Sequence, residues 1–268
     1  MGLENLGLAF VLTMLAGLST SIGGLIALFA KRTNTDFLSF ALGFSAGVMI
    51  YVAMVEIFAE ARLAAVNVWG TAGLWVATAA FFAGIMLIAI IDKLVPEYEN
   101  PHEPRALDEI SENTDHTGNA KLLRLGVMAA VAIAIHNFPE GLAAFISVLH
   151  DPSVGIAIVI AIAIHNIPEG IAVAVPVYYA TGDRGKAFQY SFLSGLSEPL
   201  GALIGFLILL PFMSEGLFAL VFASVAGIMV FISLDELLPA AREYGAAHQS
   251  VYGIIVGMMV MAVSLLLM

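Results

Sequence analysis

Eight apolar runs dominate this sequence, at Leu3–Ala30, Phe37–Ala61, Thr71–Leu94, Leu122–Leu149, Val154–Ala180, Ala187–Phe212, Leu217–Ala240 and Tyr252–Met268. A helix of about 20 apolar residues crosses the hydrocarbon core of a bilayer, and backbone at that depth must pair within its own segment. Buried helices of a soluble core could also be this apolar. Eight in succession, joined by short polar turns, would leave such a core almost no polar surface. The composition agrees: 60% of residues are hydrophobic and 12% charged, where a soluble domain carries about a quarter. The reading is an all-α membrane protein of eight transmembrane helices, a single polytopic domain over 1–268. The start, MGLENLGLAF, has no basic n-region and no cleavage pattern, so it is expected to be the first span rather than a removable signal. The absence of cysteine excludes disulfides and thiolate metal chemistry.

With eight spans, both termini lie on one side. If that side is outside, Lys31, Arg32, Lys93, Arg105, Lys121, Arg124, Arg184, Lys186 and Arg242 all fall in cytoplasmic loops, and only Arg62 falls outside. That is the positive-inside distribution, so both termini are expected outside a plasma or inner membrane. The net charge of −11 comes largely from PEYENPHEPRALDEISENTDHTGNAK, expected as an acidic cytoplasmic loop over 95–121.

The chain also repeats itself. SAGVMIYVAMVEIFAEAR (45–62) aligns without gaps to VAGIMVFISLDELLPAAR (225–242), and LAGLSTSIGGLIALF (15–29) to LSGLSEPLGALIGFL (193–207). Spans one to three thus correspond to spans six to eight. Related spans run in opposite directions, which is an inverted repeat of the kind many secondary transporters carry. Between the triplets, spans four and five are copies of each other, with AIAIHNFPEG in one and AIAIHNIPEG in the next. The expected architecture is three, two, three.

The paired motif carries the chemistry. His136 and Glu140 are four residues apart, which sets imidazole and carboxylate on one helix face about 6 Å apart along the axis, near enough to share a cation. Asn137 is three residues from the same Glu140, so the glutamate can face two neighbouring sites. His165, Asn166 and Glu169 repeat the arrangement. Pro139 and Pro168 leave the carbonyls of Ile135 and Ile164 without their helical partners, so kinks are expected. Gly141 and Gly170 permit close helix approach. Buried charge costs a few kcal/mol per group, and here it is incurred twice in one pattern. Glu198, just before Pro199, adds a third buried carboxylate. Glu56 in span two, with Met49 one to two turns before it, and Asp235 and Glu236 in span seven are candidate pathway positions at the outer and inner ends. Imidazole, carboxylate and amide without thiolate suit Zn²⁺, Fe²⁺, Mn²⁺ or Co²⁺.

These motifs, with FSAGVMIYVAMVEI, SGLSEPLGALIG and VAGIMVFISLDELLP, resemble the ZIP family of metal transporters over nearly the whole chain. The resemblance implies a two-metal centre between spans four and five. One position would be held by His136, Glu140, His165 and Glu169, and the other by Asn137, Glu140, Asn166, Glu169 and Glu198. It implies import of zinc, with iron, manganese, cobalt or cadmium as further divalent cargo, by alternating access and without a catalytic cofactor. The expected partners are divalent metal ions and the lipid bilayer, with no nucleic acid. Whether the chain forms a homodimer stays open, as do two other functions for the same ligands: an intramembrane metalloenzyme and a passive metal channel. The chain has no HExxH motif and no GxxxxGK[ST] phosphate loop.

Overall fold

The computed structural model describes residues 3–29, 35–94, 116–244 and 247–267. These residues form helices joined by short turns, with no strand among them. A 3₁₀ turn, Leu3–Asn5, leads into α1 (Leu6–Phe29). The helix α2 (Thr35–Val52) passes through a π-helical turn, Ala53–Ile57, into α3 (Phe58–Trp69), and α4 follows (Ala72–Leu94). Next come α5 (His116–His150), α6 (Pro152–Thr181), α7 (Arg184–Gly195) and α8 (Ser197–Ile204). A second π-helical turn, Gly205–Leu209, and a 3₁₀ turn, Leu210–Phe212, precede α9 (Glu215–Ile232). A third π-helical turn, Ser233–Leu237, connects α9 to α10 (Leu238–Tyr244), and α11 (Ala247–Leu267) ends the chain's described part.

Among the described residues, seven stretches are long and apolar enough to cross a membrane: Leu6–Ile26, Ser39–Trp69, Ala72–Ile91, Pro152–Val175, Arg184–Ile208, Glu215–Asp235 and His248–Leu266. The helix α5, which carries HNFPEG, is not among these seven, although it is 35 residues long. The outer faces are apolar, with Leu15, Phe82, Leu207 and Met259 each more than half exposed.

Three sequence expectations change. The second run continues past Ala61 to Trp69, where Gly70 at φ 58° ends it. The last residues expected in the acidic loop are helical, because α5 begins at His116; residues 95–115 lie outside the described part. The sixth run is not one helix. It breaks at Leu196, where Pro199 supplies no amide hydrogen to the turn before it. By contrast, α5 and α6 run as helices through Pro139 and Pro168.

The link between α6 and α7 is written in its residues. Gly182 adopts φ 66° and closes α6 by donating to the Tyr178 carbonyl at 2.8 Å, a left-handed cap that favours glycine. Asp183 then caps α7 by accepting from the amides of Gly185 and Lys186.

The helices α1, α5, α6, α7 and α8 pack on one another, while α2 pairs with α11 and α9 with α4. The two groups meet closely where α2 lies on α6, and less extensively where α9 lies on α5. Glycines set the pairings. Gly47 of α2 lies against the Ile254 carbonyl of α11, and Gly227 of α9 against the Phe81 carbonyl of α4. Gly257 meets the Phe44 carbonyl just as Gly84 meets that of Ser224. Gly17 and Gly195, aligned in the sequence repeat, each face the other's carbonyl oxygen. Small residues of this kind let membrane helices approach backbone to backbone.

Candidate metal centre

The two copies of the motif meet between α5 and α6. His165 Nε2 lies 3.1 Å from Glu140 Oε2, with both side chains essentially removed from solvent. Asn137, Asn166, Glu169 and Glu198 are buried as completely. No Lys or Arg occurs in the sequence between Arg124 and Arg184 or between Lys186 and Arg242, so these carboxylates are surrounded by helices that supply no basic side chain at mid-helix depth. Glu198 lies in the first turn of α8, just past the break at Leu196. There its carboxylate accepts a short hydrogen bond from Asn166 Nδ2.

The asparagines are held alike. Asn166 Nδ2 donates to the Ala16 carbonyl of α1 at 3.0 Å, and Asn137 Nδ2 to the Ser194 carbonyl of α7 at 3.5 Å. Ala16 and Ser194 are aligned positions of the sequence repeat. Likewise Gly141 lies against the Glu198 carbonyl and Gly170 against that of Thr20. Holding each asparagine by its nitrogen turns its oxygen away from the bond. Asn137 Oδ1, Asn166 Oδ1 and Glu140 Oε1 have no hydrogen-bond partner among the described residues. An unmet buried acceptor costs about 1–3 kcal/mol, more for a charged group, and a cation would relieve all three.

Among the described residues, no three histidine or carboxylate side chains converge closely enough to hold one ion; the contacts there include the pairs His165–Glu140 and Asn166–Glu198. The side chains of His136 and Glu236 lie outside the described part. Met49 is fully buried in α2. Glu56 is partly buried in the π-helical turn Ala53–Ile57, and Asp235 is exposed in the corresponding turn Ser233–Leu237.

A family profile described as ZIP Zinc transporter matches residues 92–265. The chain belongs to the ZIP family. It is 60% identical to the zinc transporter ZupT of Oceanobacillus iheyensis, over 99% of this chain and 100% of that protein. The zinc transporter ZupT of Streptococcus mutans is also 60% identical, over 98% of each chain, and that of Clostridium perfringens is 57% identical, over 99% and 97%.

Within this ZIP chain, one contact at the centre has no signal in the sequence. Ser45 of α2 is buried, with Oγ 3.4 Å from Glu169 Oε1 and 3.3 Å from the His165 carbonyl. A single serine in SAGVM looks like an ordinary small packing residue. Its aligned counterpart on α9 is Val225, which lines a cavity of about 260 Å³ between α5 and α9 together with Phe138, Pro139, Leu142, Ser224 and Ile228. Related faces therefore differ. Ser45 reaches the site by hydrogen bonds, whereas Val225 lines that apolar cavity.

Proposed function

We propose that this ZIP-family protein imports zinc and other divalent transition metals, including iron, manganese, cobalt and cadmium, across a plasma or inner membrane by alternating access. The single observation that carries the reading is the 3.1 Å contact of His165 with Glu140, which joins the two motif copies into one buried, carboxylate-rich centre. The relatives named above are zinc transporters rather than enzymes.

The centre holds two ions in this reading. His136, Glu140, His165 and Glu169 bind one, and Asn137, Glu140, Asn166, Glu169 and Glu198 bind the other. The cation gives up water for these ligands, and the three buried oxygens without partners support such a role. Glu56 and Met49 receive the ion from outside, and Asp235 and Glu236 pass it inward.

Counting α5 as an eighth span makes the chain one polytopic domain with three, two and three helices and both termini outside. The twofold recurrence of glycine–carbonyl contacts supports that arrangement. A potential of 100 mV, inside negative, supplies about 2.3 kcal/mol per charge and so roughly 4.6 kcal/mol for a dication, sufficient for uptake without ATP.

The test is radioactive zinc uptake into reconstituted vesicles by Glu140→Ala and Glu169→Ala proteins. Both are expected to lose nearly all saturable uptake; wild-type rates in both would sink the proposal. Linear, unsaturable flux in the wild type would point to a channel.

A further inference from the structure

Thr20 behaves unlike three other helical threonines. Thr13, Thr78 and Thr181 each donate to the carbonyl four residues back, at 2.7–2.8 Å. Thr20 is fully buried, and its Oγ1 has no hydrogen-bond partner among the described residues. The carbonyl four residues back, that of Ala16, already accepts from Ser19 Oγ and Asn166 Nδ2.

Its surroundings show where it stands. In the sequence repeat, LSTS of α1 aligns with LSEP of α7 and α8, so Thr20 corresponds to Glu198. The correspondence is spatial as well. A Cβ built on Gly195 would lie 3.1 Å from Thr20 Cβ, and one built on Gly17 would lie 3.3 Å from Glu198 Cβ. Gly170 contacts the Thr20 carbonyl as Gly141 contacts that of Glu198. Glu198 uses this position to send its carboxylate to Asn166. By the correspondence of the repeat, Thr20 stands to Asn137 as Glu198 stands to Asn166, with a shorter side chain and a neutral oxygen. Asn137 Oδ1 is itself buried and without a hydrogen-bond partner among the described residues.

From this we infer that Thr20 Oγ1 is an oxygen donor to the second metal position, opposite Glu198. The inference rests on the two-position centre proposed above. It makes that position all-oxygen, built from carboxylates, two amide carbonyls and one hydroxyl, a set that favours harder divalent ions than the imidazole-bearing position does. A hydroxyl where the repeat could have carried a second carboxylate also adds a ligand without adding negative charge, which keeps the ion releasable.

The experiment is zinc titration of the purified full chain in lipid nanodiscs by calorimetry, with bound metal counted by elemental analysis. Wild type is expected to bind two ions. Thr20→Val, which keeps the shape and removes the oxygen, should weaken the weaker ion about tenfold and leave the tighter one unchanged, while Thr20→Ser stays near wild type. If Thr20→Val does not fold, Thr20→Ala against Thr20→Ser reads the same difference. A wild type that binds two ions, with the oxygen-free variant titrating identically or with valine and serine losing equally, overturns the Thr20 assignment alone. A wild type that binds fewer than two ions overturns the two-position centre and this inference with it.

Discussion

Replacing Gly170 by alanine tests whether backbone contact between α1 and α6 shapes the centre. The added Cβ would overlap the Thr20 carbonyl oxygen and stand 2.8 Å from its carbon and 2.9 Å from Ser191 Oγ. Carbon atoms prefer separations of about 3.5–4.0 Å, and the nearest obstacle is backbone rather than the tip of a flexible side chain, so α1 and α6 must move apart. Overpacking of this kind costs about 1–3 kcal/mol. The movement also strains the bonds of Ser191 Oγ to Thr20 and of Asn166 Nδ2 to Ala16, at 2.8 and 3.0 Å, each worth about 0.5–1.5 kcal/mol. Together these give roughly 2–6 kcal/mol, and with about 2–4 °C per kcal/mol for a chain of this size the melting temperature should fall by several degrees or more. Because Asn166 holds Glu198, zinc uptake should fall with it. Gly7 of α1 has nothing within 4 Å of an added Cβ, so Gly7→Ala should be neutral or slightly stabilising. The assay is thermal unfolding in detergent with zinc uptake per folded protein. A Gly170→Ala protein that melts and transports like Gly7→Ala would falsify the argument.

Other consequences follow from the same contacts. Ser45→Ala removes the hydroxyl facing Glu169 at a cost of about 0.5–1.5 kcal/mol, so the KM for zinc should rise by roughly two- to tenfold, and an unchanged KM would show that Ser45 only fills space. Asp183→Ala removes the cap of α7, which accepts from Gly185 and Lys186, and should cost about 0.5–2 kcal/mol of stability; uptake per folded molecule is expected to stay at the wild-type level, since the cap lies outside the centre.

Much of this protein is legible along the chain, but not all of it in the same way. Spans announce themselves because hydrocarbon demands unbroken apolar helix, and the motif copies stand out because a buried carboxylate is rare among alanines and isoleucines. The π-helical turns at Ala53–Ile57 and Ser233–Leu237 escaped that reading. They fall at aligned positions of the repeat, and although Glu56, Asp235 and Glu236 mark those turns as polar, an acidic residue does not say that a turn carries an extra residue. The break at Leu196 is half visible, since a proline at position 199 must disturb the turn before it but does not say whether the helix divides there.

By itself, then, the sequence shows that the chain is helical and membrane-bound, and that HNFPEG and HNIPEG recur as polar motifs in successive apolar runs; the contact of His165 with Glu140 joins them. Tertiary structure set Ser45 beside Glu169 and packed Thr20 against Gly170 and Gly195. Serine, threonine and glycine are common in membrane helices, so they carry little information until the neighbour is known. A glycine tells which carbonyl it admits, and a hydroxyl which oxygen or ion it faces, only when helices distant in sequence are packed together.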